Sequence, residues 1–123
     1  MRERISIVSS EFPWLVYKRN GIAEAYAYAG KWKHRSAYRF TLECTVYARH
    51  GLNEKGVGTR LYQQLLDELS ESYVRSVMAV IALPNAASVG LHEKMGFEKV
   101  AHFKEVGYKL DQWIDVGNWQ KIF

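Results

Sequence analysis

Apolar and polar positions alternate along the first third of the chain and then switch to a helical spacing. Trp14, Leu15, Val16 and Tyr17 form a strand-like run, and Ile22 to Tyr28 form another. Asn20-Gly21 between them predicts a tight hairpin, because both turn positions favour residues that tolerate positive φ. A third strand is expected from about Ala37 to Ala48, with Phe40, Leu42, Cys44 and Val46 on one face and Thr41, Glu43 and Thr45 on the other. One face is core, which leaves the other free for a site. Val57, Leu61, Leu65, Leu66 and Leu69 then recur at helical spacing and predict a helix over about Val57 to Glu71.

The run Val77 to Ile81 has the length and composition of a buried strand, so strand, helix and strand form a βαβ-like crossover with locally parallel pairing. Pro84-Asn85 opens a shorter helix over about Ala86 to Met95, with Asn85 as its N-cap and Gly96 as the left-handed residue that ends it. From Phe97 onward two antiparallel strands are expected, with breaks at Gly107 and around Asp111.

A length of 123 residues with 48% hydrophobic content predicts one globular domain spanning 1–123, with 1–12 as a short N-terminal segment. The aromatic and β-branched residues in short runs point to a mixed α and β fold. The net charge of +4 favours an anionic partner but does not choose between a phosphate-bearing cofactor and nucleic acid. No basic stripe or RNP-type aromatic motif is present, which argues against nucleic acid. Cys44 is the single cysteine, so an internal disulfide is excluded and a reducing cytoplasm fits. No apolar run has the length of a signal core or a membrane span, so the expectation is a soluble protein with no membrane partner. His34, His50 and His102 show no pairing or spacing for metal and read as surface or loop residues.

The first candidate chemistry is Lys55-Gly56-Val57-Gly58-Thr59, between a strand and a helix. Two glycines let backbone approach an anion closely, and the free N–H groups of a helix start suit phosphate. The pattern is neither a Walker A loop nor a GxGxxG fingerprint. An ordinary helix start that happens to contain glycine explains it about as well.

The order of elements around that loop resembles the acetyl-coenzyme A half of the GNAT superfamily of N-acetyltransferases. The family's Gln/Arg-x-x-Gly-x-Gly/Ala loop is matched by Asn53-Glu54-Lys55-Gly56-Val57-Gly58, with Asn53 in place of the usual Gln or Arg. A second family segment, Asn-x-x-Ala/Ser-x-x-Leu-Tyr-Glu-x-x-Gly-Phe, is matched from Asn85 through Ser88, Leu91, His92 and Glu93 to Gly96-Phe97, with His92 in place of Tyr. That histidine, the upstream Val80 to Asn85 run, Glu43-Cys44-Thr45-Val46-Tyr47 and Trp113-Ile114-Asp115-Val116 resemble the phosphinothricin acetyltransferase branch.

The resemblance implies a GNAT fold: a mixed, mostly antiparallel sheet with a central βαβ-like crossover. Family members carry a first strand and two helices before the hairpin, and with only 12 residues before Pro13 these are expected to be missing. It implies acetyl-CoA as co-substrate, without metal, held by Val46, Tyr47, Ala48, Asn53, Glu54, Lys55, Gly56, Val57, Gly58, Thr59, Asn85 and Ser88. The implied acceptor is the primary amine of a small amino acid or analogue. Amine attack needs a free lone pair, so a base is required, and Glu43 takes that role by resemblance. His92 would protonate the leaving thiolate or assist the base; a structural histidine beside the pocket is the even alternative.

Asn85 is explained by capping alone, although its amide donors stay available for the cofactor. Cys44 on the core face is an improbable nucleophile. Trp32, Trp113, Trp119, Tyr38 and Tyr108 read mostly as core or interface. A homodimer is expected, with aromatic residues of the Trp113 to Phe123 segment at or beside the contact. Residues 1–12 folding back as a strand or short helix is the alternative cover. The rival functional reading is a non-catalytic acetyl-CoA-binding module that has lost its acceptor site.

Overall fold

The computed structural model describes residues 3–7 as backbone, and residues 12–49 and 56–123 in full. Among the described residues seven strands form one sheet in the order β1-β2-β3-β4-β5-β7-β6. They are β1 (Glu3–Ile7), β2 (Trp14–Arg19), β3 (Ile22–Lys31), β4 (Thr41–Ala48), β5 (Ser76–Leu83), β6 (Glu98–Lys109) and β7 (Gln112–Ile122). Helix α1 (Val57–Ser70) follows β4, and α2 (Ala86–Lys94) follows β5. Only β4 and β5 pair in parallel; every other neighbouring pair is antiparallel.

The expected hairpin is in place, with Asn20 at φ 53 and Gly21 at φ 79. The second hairpin turns at Leu110 and Asp111, both with positive φ, so the break near Asp111 is there. Gly107, expected as a break, instead sits inside β6 opposite Ile114, beside an irregularity in the register. The N-terminal strand expected to be missing is also present: β1 pairs antiparallel with β2 along Glu3–Ile7. The third strand begins at Thr41 rather than Ala37, because Ser36–Tyr38 form a short 3-10 turn. Phe40 therefore lies outside the ladder and is 42% exposed rather than on the core face, stacked under Arg39 and edge-on to Tyr73.

Helix α1 buries Val57, Leu61, Tyr62, Leu65, Leu66 and Leu69 on one stripe. The stripe lies over the sheet face made by Leu15 and Tyr17 of β2, Leu42 and Cys44 of β4, and Ala25, Ala27 and Ala29 of β3. Alanine at all three β3 positions keeps that strand thin, so the helix can pack close to it. The register Leu42↔Val77 puts Val77, Ala79 and Ile81 on the same face. Helix α2 lies there too, tied to β7 where Trp119 Nε1 donates to Glu93 across 3.1 Å and Lys121 Nζ donates to the Met95 carbonyl across 2.9 Å.

Both helices thus cover one face. On the other, no described element covers Trp14, Tyr26, Tyr28 and Tyr47, whose rings stack in sequence with centroids 4.6 to 5.9 Å apart. Val80, expected within a buried strand, points to that open face and is 45% exposed. No described helix is long and apolar enough to cross a membrane.

Candidate active site

β4 and β5 pair over three rungs only, Thr41↔Ser76, Leu42↔Val77 and Glu43↔Met78. Beyond them β5 stays paired with β7 as far as Leu83, while β4 stays with β3 as far as Ala48. The two central strands therefore part, and a wedge with unpaired strand edges opens between Cys44–Ala48 and Ala79–Leu83. Free backbone groups on both sides of such a wedge are hydrogen-bonding positions for an extended ligand.

At the mouth of the wedge α1 begins on Gly56, whose φ of 82 is left-handed and suits glycine. Among the described residues no side chain caps this start, and a Cβ on Gly56 or Gly58 would meet nothing within 4 Å. The first N–H groups of the helix carry the positive end of its dipole and lack intrahelical partners. Val57 is core, so only its N–H could serve a ligand, whereas Thr59 is half-buried beside it. These features fit the pyrophosphate of acetyl-CoA. Asn53, Glu54 and Lys55 lie outside the described residues.

Helix α2 begins differently. Asn85 caps it, accepting the Ser88 N–H on Oδ1 across 3.1 Å, as the sequence predicts. The Asn85 amide nitrogen is left for a ligand, and the residue borders a hollow of about 300 Å³ shared with Leu83, Trp113 and Ile114. Ser88 gives its N–H to Asn85 and its carbonyl to His92 Nδ1, and its hydroxyl makes only a long 3.5 Å contact with the same Nδ1. Val46 is half-buried against the core, while Tyr47 and Ala48 are exposed on the wedge.

Glu43 stands on the last paired rung, opposite Gly30 of β3, on the face away from the helices. It is half-buried, and desolvation raises its carboxyl pKa above the ordinary value, opposed by the positive charge of Lys33. A carboxylate held in that way is a better proton acceptor than a solvated one.

His92 is 4% exposed and lies on the helical side, between Tyr62 and Phe97. The Ser88 carbonyl, 2.8 Å from Nδ1, can only accept, so Nδ1 carries the proton. Nε2 then accepts from the Tyr62 hydroxyl at 2.9 Å. Burial depresses the His92 pKa, with the Ser88 bond opposing, so the ring is neutral. The structure thus sets Glu43 and His92 on opposite faces of the sheet and satisfies both ring nitrogens of His92 internally.

Cys44 is 3% exposed, and burial pushes its thiol pKa up, which suits a core residue rather than a nucleophile. His102, read as a surface residue, bridges Asp115 at 2.8 Å and holds its carboxyl pKa below the ordinary value, helped by the Glu105 N–H. His50 lies outside the described residues. Two participants carry no motif. Tyr62 falls on the apolar stripe of α1, and Glu24 is 7% exposed in β3, where it accepts the Arg49 N–H on its carbonyl and meets the Arg49 guanidinium at 3.3 Å. Glu24 pins the end of β4 just before the glycine loop; a carboxylate set between Ala23 and Ala25 is the signal the sequence offers.

A helix and glycine turn inserted between two parallel strands that part, with a capped helix after the second, define an acyl-CoA-type transferase fold. Residues 2–117 match the family described as an acetyltransferase (GNAT) domain, and the chain belongs to that family. Among its relatives, phosphinothricin N-acetyltransferase of Streptomyces viridochromogenes is 43% identical over 116 residues, 94% of this chain and 63% of the relative. The L-methionine sulfoximine/L-methionine sulfone acetyltransferase of Salmonella typhimurium is 35% identical over 105 residues, 85% of this chain and 61% of the relative. The chain thus spans somewhat less than two thirds of the length of these relatives.

Among solved structures, ribosomal-protein-alanine N-acetyltransferase from Brucella melitensis superposes with a TM-score of 0.86 at 36% identity, over 91% of this chain and 69% of that one. A phosphinothricin acetyltransferase from Sinorhizobium meliloti in complex with AcCoA gives 0.84 at 31% identity, over 91% and 61%.

Proposed function

We propose that the protein transfers an acetyl group from acetyl-CoA to the primary amine of a small amino acid or amino-acid analogue. The observation that carries this reading is the parting of β4 and β5 immediately after Glu43, with a glycine helix start at the open end. The names of the relatives support the acceptor class: phosphinothricin and methionine sulfoximine or sulfone are amino-acid analogues.

The residues that would hold acetyl-CoA are the edge Val46, Tyr47 and Ala48, the loop from Asn53 to Thr59 through its backbone N–H groups, and Asn85 and Ser88 through their side chains. Acetyl-CoA, when bound, supplies a thioester whose acyl carbon is open to attack by an amine. Glu43 takes a proton from the acceptor ammonium, directly or through water, and leaves a nitrogen lone pair. Alignment of the two reactants along one wedge supplies most of what remains, because the attack becomes effectively unimolecular. His92, closed off by Tyr62 and Ser88, acts as a positioning residue that locks α2, and with it Asn85 and Ser88, onto α1. Nε2 carries no proton in this arrangement, so donation to the leaving CoA thiolate would require His92 first to take up a proton on Nε2 and to release Tyr62.

We further propose a homodimer built on the β6–β7 hairpin. Its support is a set of exposed apolar side chains on the edge strand β6, the turn and the start of β7, Phe103 at 46%, Val106 at 60%, Leu110 at 90% and Trp113 at 64% among them. Trp119, in the same segment, is 1% exposed and is core instead. The lone buried Cys44 supports a cytoplasmic setting.

The test is a thiol-release assay with acetyl-CoA against a panel of amino acids that includes phosphinothricin and methionine sulfoximine. Release above the no-acceptor background supports the transferase. Binding of acetyl-CoA with no release for any amine would instead identify a cofactor-binding module.

A further inference from the structure

On the β6–β7 hairpin, away from the wedge, three side chains form a hydrogen-bonded chain. Lys99 Nζ donates to His102 Nδ1 across 2.9 Å, and His102 Nε2 donates to Asp115 Oδ2 across 2.8 Å. In a regular strand, positions three apart point to opposite faces. The register of β6 shifts between Lys99 and Ala101, so Lys99 stands opposite Trp119 and His102 opposite Gly117, two places apart on one face of β7. Asp115 lies two places further along the same strand. A second irregularity in β6 holds Glu105 at φ 51, and its N–H donates to the other Asp115 oxygen across 2.9 Å.

This arrangement fixes the proton on the imidazole. An ammonium has no lone pair, so Nδ1 accepts, and a carboxylate only accepts, so Nε2 carries the hydrogen. The ring is therefore neutral, with its lone pair against an amine and a carboxylate behind it. Lys99 is steadied as well, because its ammonium lies 5.4 Å from the centroid of the Trp119 ring, and Trp119 is core. The His102 and Asp115 side chains are 37% and 36% exposed and Lys99 is exposed, so a reagent in solution reaches the amine.

We propose that Lys99 is a site of acetylation by acetyl thioesters such as acetyl-CoA, with His102 as its general base. Nδ1 takes one proton from the ammonium and passes it to water, and the freed lone pair of Nζ attacks the thioester carbonyl carbon. The C–N bond forms, the C–S bond breaks, and a second N–H proton leaves with the sulfur, giving acetyl-lysine and free thiol. A nucleophile within hydrogen-bond reach of a base, itself oriented by a third group, is the arrangement that activates a weak nucleophile. The product amide keeps one N–H for Nδ1, so the fold tolerates the change, while the positive charge over Trp119 is lost. The step uses no group of the wedge and does not rest on the amino-acid acetyltransferase reading.

The test is acetylation of the full chain by S-acetyl-N-acetylcysteamine, followed by peptide mass spectrometry. This thioester lacks the pyrophosphate that the glycine helix start would hold, so it bypasses the cofactor site. Lys94 and Lys104, both exposed, are read in the same digest as references. Lys99 should be labelled at least about tenfold faster than either; a general base typically gives roughly 100-fold or more, and open water around this one reduces it. His102→Gln should bring Lys99 down to the reference rate and leave Lys94 and Lys104 unchanged, which a general loosening of the fold would not do. Equal labelling of the three lysines in the parent protein, or a Lys99 preference that survives His102→Gln, overturns the proposal. Thiol release with amino-acid acceptors is measured separately: a chain that releases none yet labels Lys99 in this way loses the transferase reading and keeps this one.

Discussion

The Tyr62 hydroxyl donates to Nε2 of His92 across 2.9 Å, and this bond joins α1 to α2 inside the core. Tyr62 is 0% and His92 4% exposed, so neither group can turn to water instead. Tyr62→Phe leaves Nε2 as a buried acceptor without a donor, which costs about 1–3 kcal/mol. Urea unfolding at neutral pH measures it, and a loss well below that range would mean that water reaches the ring.

The same burial makes stability depend on pH. The folded state holds His92 neutral below the ordinary value of 6.5, so the unfolded chain takes up the proton first as pH falls. The stability His92 contributes is present above that value and is lost as pH falls from it toward the depressed folded pKa. Glu43, whose pKa is raised from 4.5, has the opposite sign, its contribution being lost as pH rises from that value. The melting point should therefore fall between about pH 7.5 and pH 5.5, and less steeply in His92→Gln. Parallel curves for the two proteins would show that His92 does not titrate with unfolding.

Glu43→Gln removes the proposed base and keeps nearly the same shape. Turnover should fall by roughly 100-fold or more, with acetyl-CoA affinity nearly intact, because the carboxylate acts on the acceptor side. In the parent enzyme the acid limb of the rate profile should sit above the ordinary carboxylate range, following the raised pKa. Unchanged turnover across pH in the variant would assign the proton to another group or to water.

Gly58→Val is the cleanest probe of the phosphate position. A Cβ there meets no described protein atom within 4 Å, and Val is a better helix former than Gly, so the fold is retained. The added side chain occupies the space where backbone must approach the ligand. The rise in melting point caused by acetyl-CoA in the parent protein should disappear. A full shift in the variant would place the pyrophosphate elsewhere.

Gly117 is required by its neighbour in β7. A Cβ at this position would fall 2.5 Å from the ring of Trp119 and 3.3 Å from Leu83. Trp119 is core and cannot withdraw, so Gly117→Ala should destabilise the protein by roughly 1–3 kcal/mol through overpacking. Thermal unfolding checks this, and a neutral result would show that the ring shifts freely.

The hairpin contact predicts dimers at micromolar concentration. Light scattering should report twice the monomer mass, and Trp113→Lys, which puts charge on a 64% exposed ring position, should return it to the monomer. A parent chain that is monomeric throughout rejects the contact.

Much was legible in the sequence because it is local. The spacing from Val57 to Leu69 fixes α1 and its buried stripe, Asn20-Gly21 fixes the first hairpin, and Asn85 announces the cap it makes. Alternation in β4 separates Leu42 and Cys44 from Glu43 and so puts the carboxylate on the open face. The glycine loop and the segment from Asn85 to Phe97 identify the family because each spacing answers to one backbone shape.

Other features depend on which distant residues meet, and period-reading cannot see that. Phe40 reads as core until the 3-10 turn before it shortens the strand, and Gly107 reads as a turn until its register partner Ile114 is known. The role of His92 turns on Tyr62, 30 positions earlier, whose hydroxyl closes off the nitrogen that sequence reasoning had offered to the thiolate. The wedge itself comes from tertiary structure: β5 holds to β7 along its length while β4 follows β3, and the two central strands part after Glu43 because each already has its other neighbour.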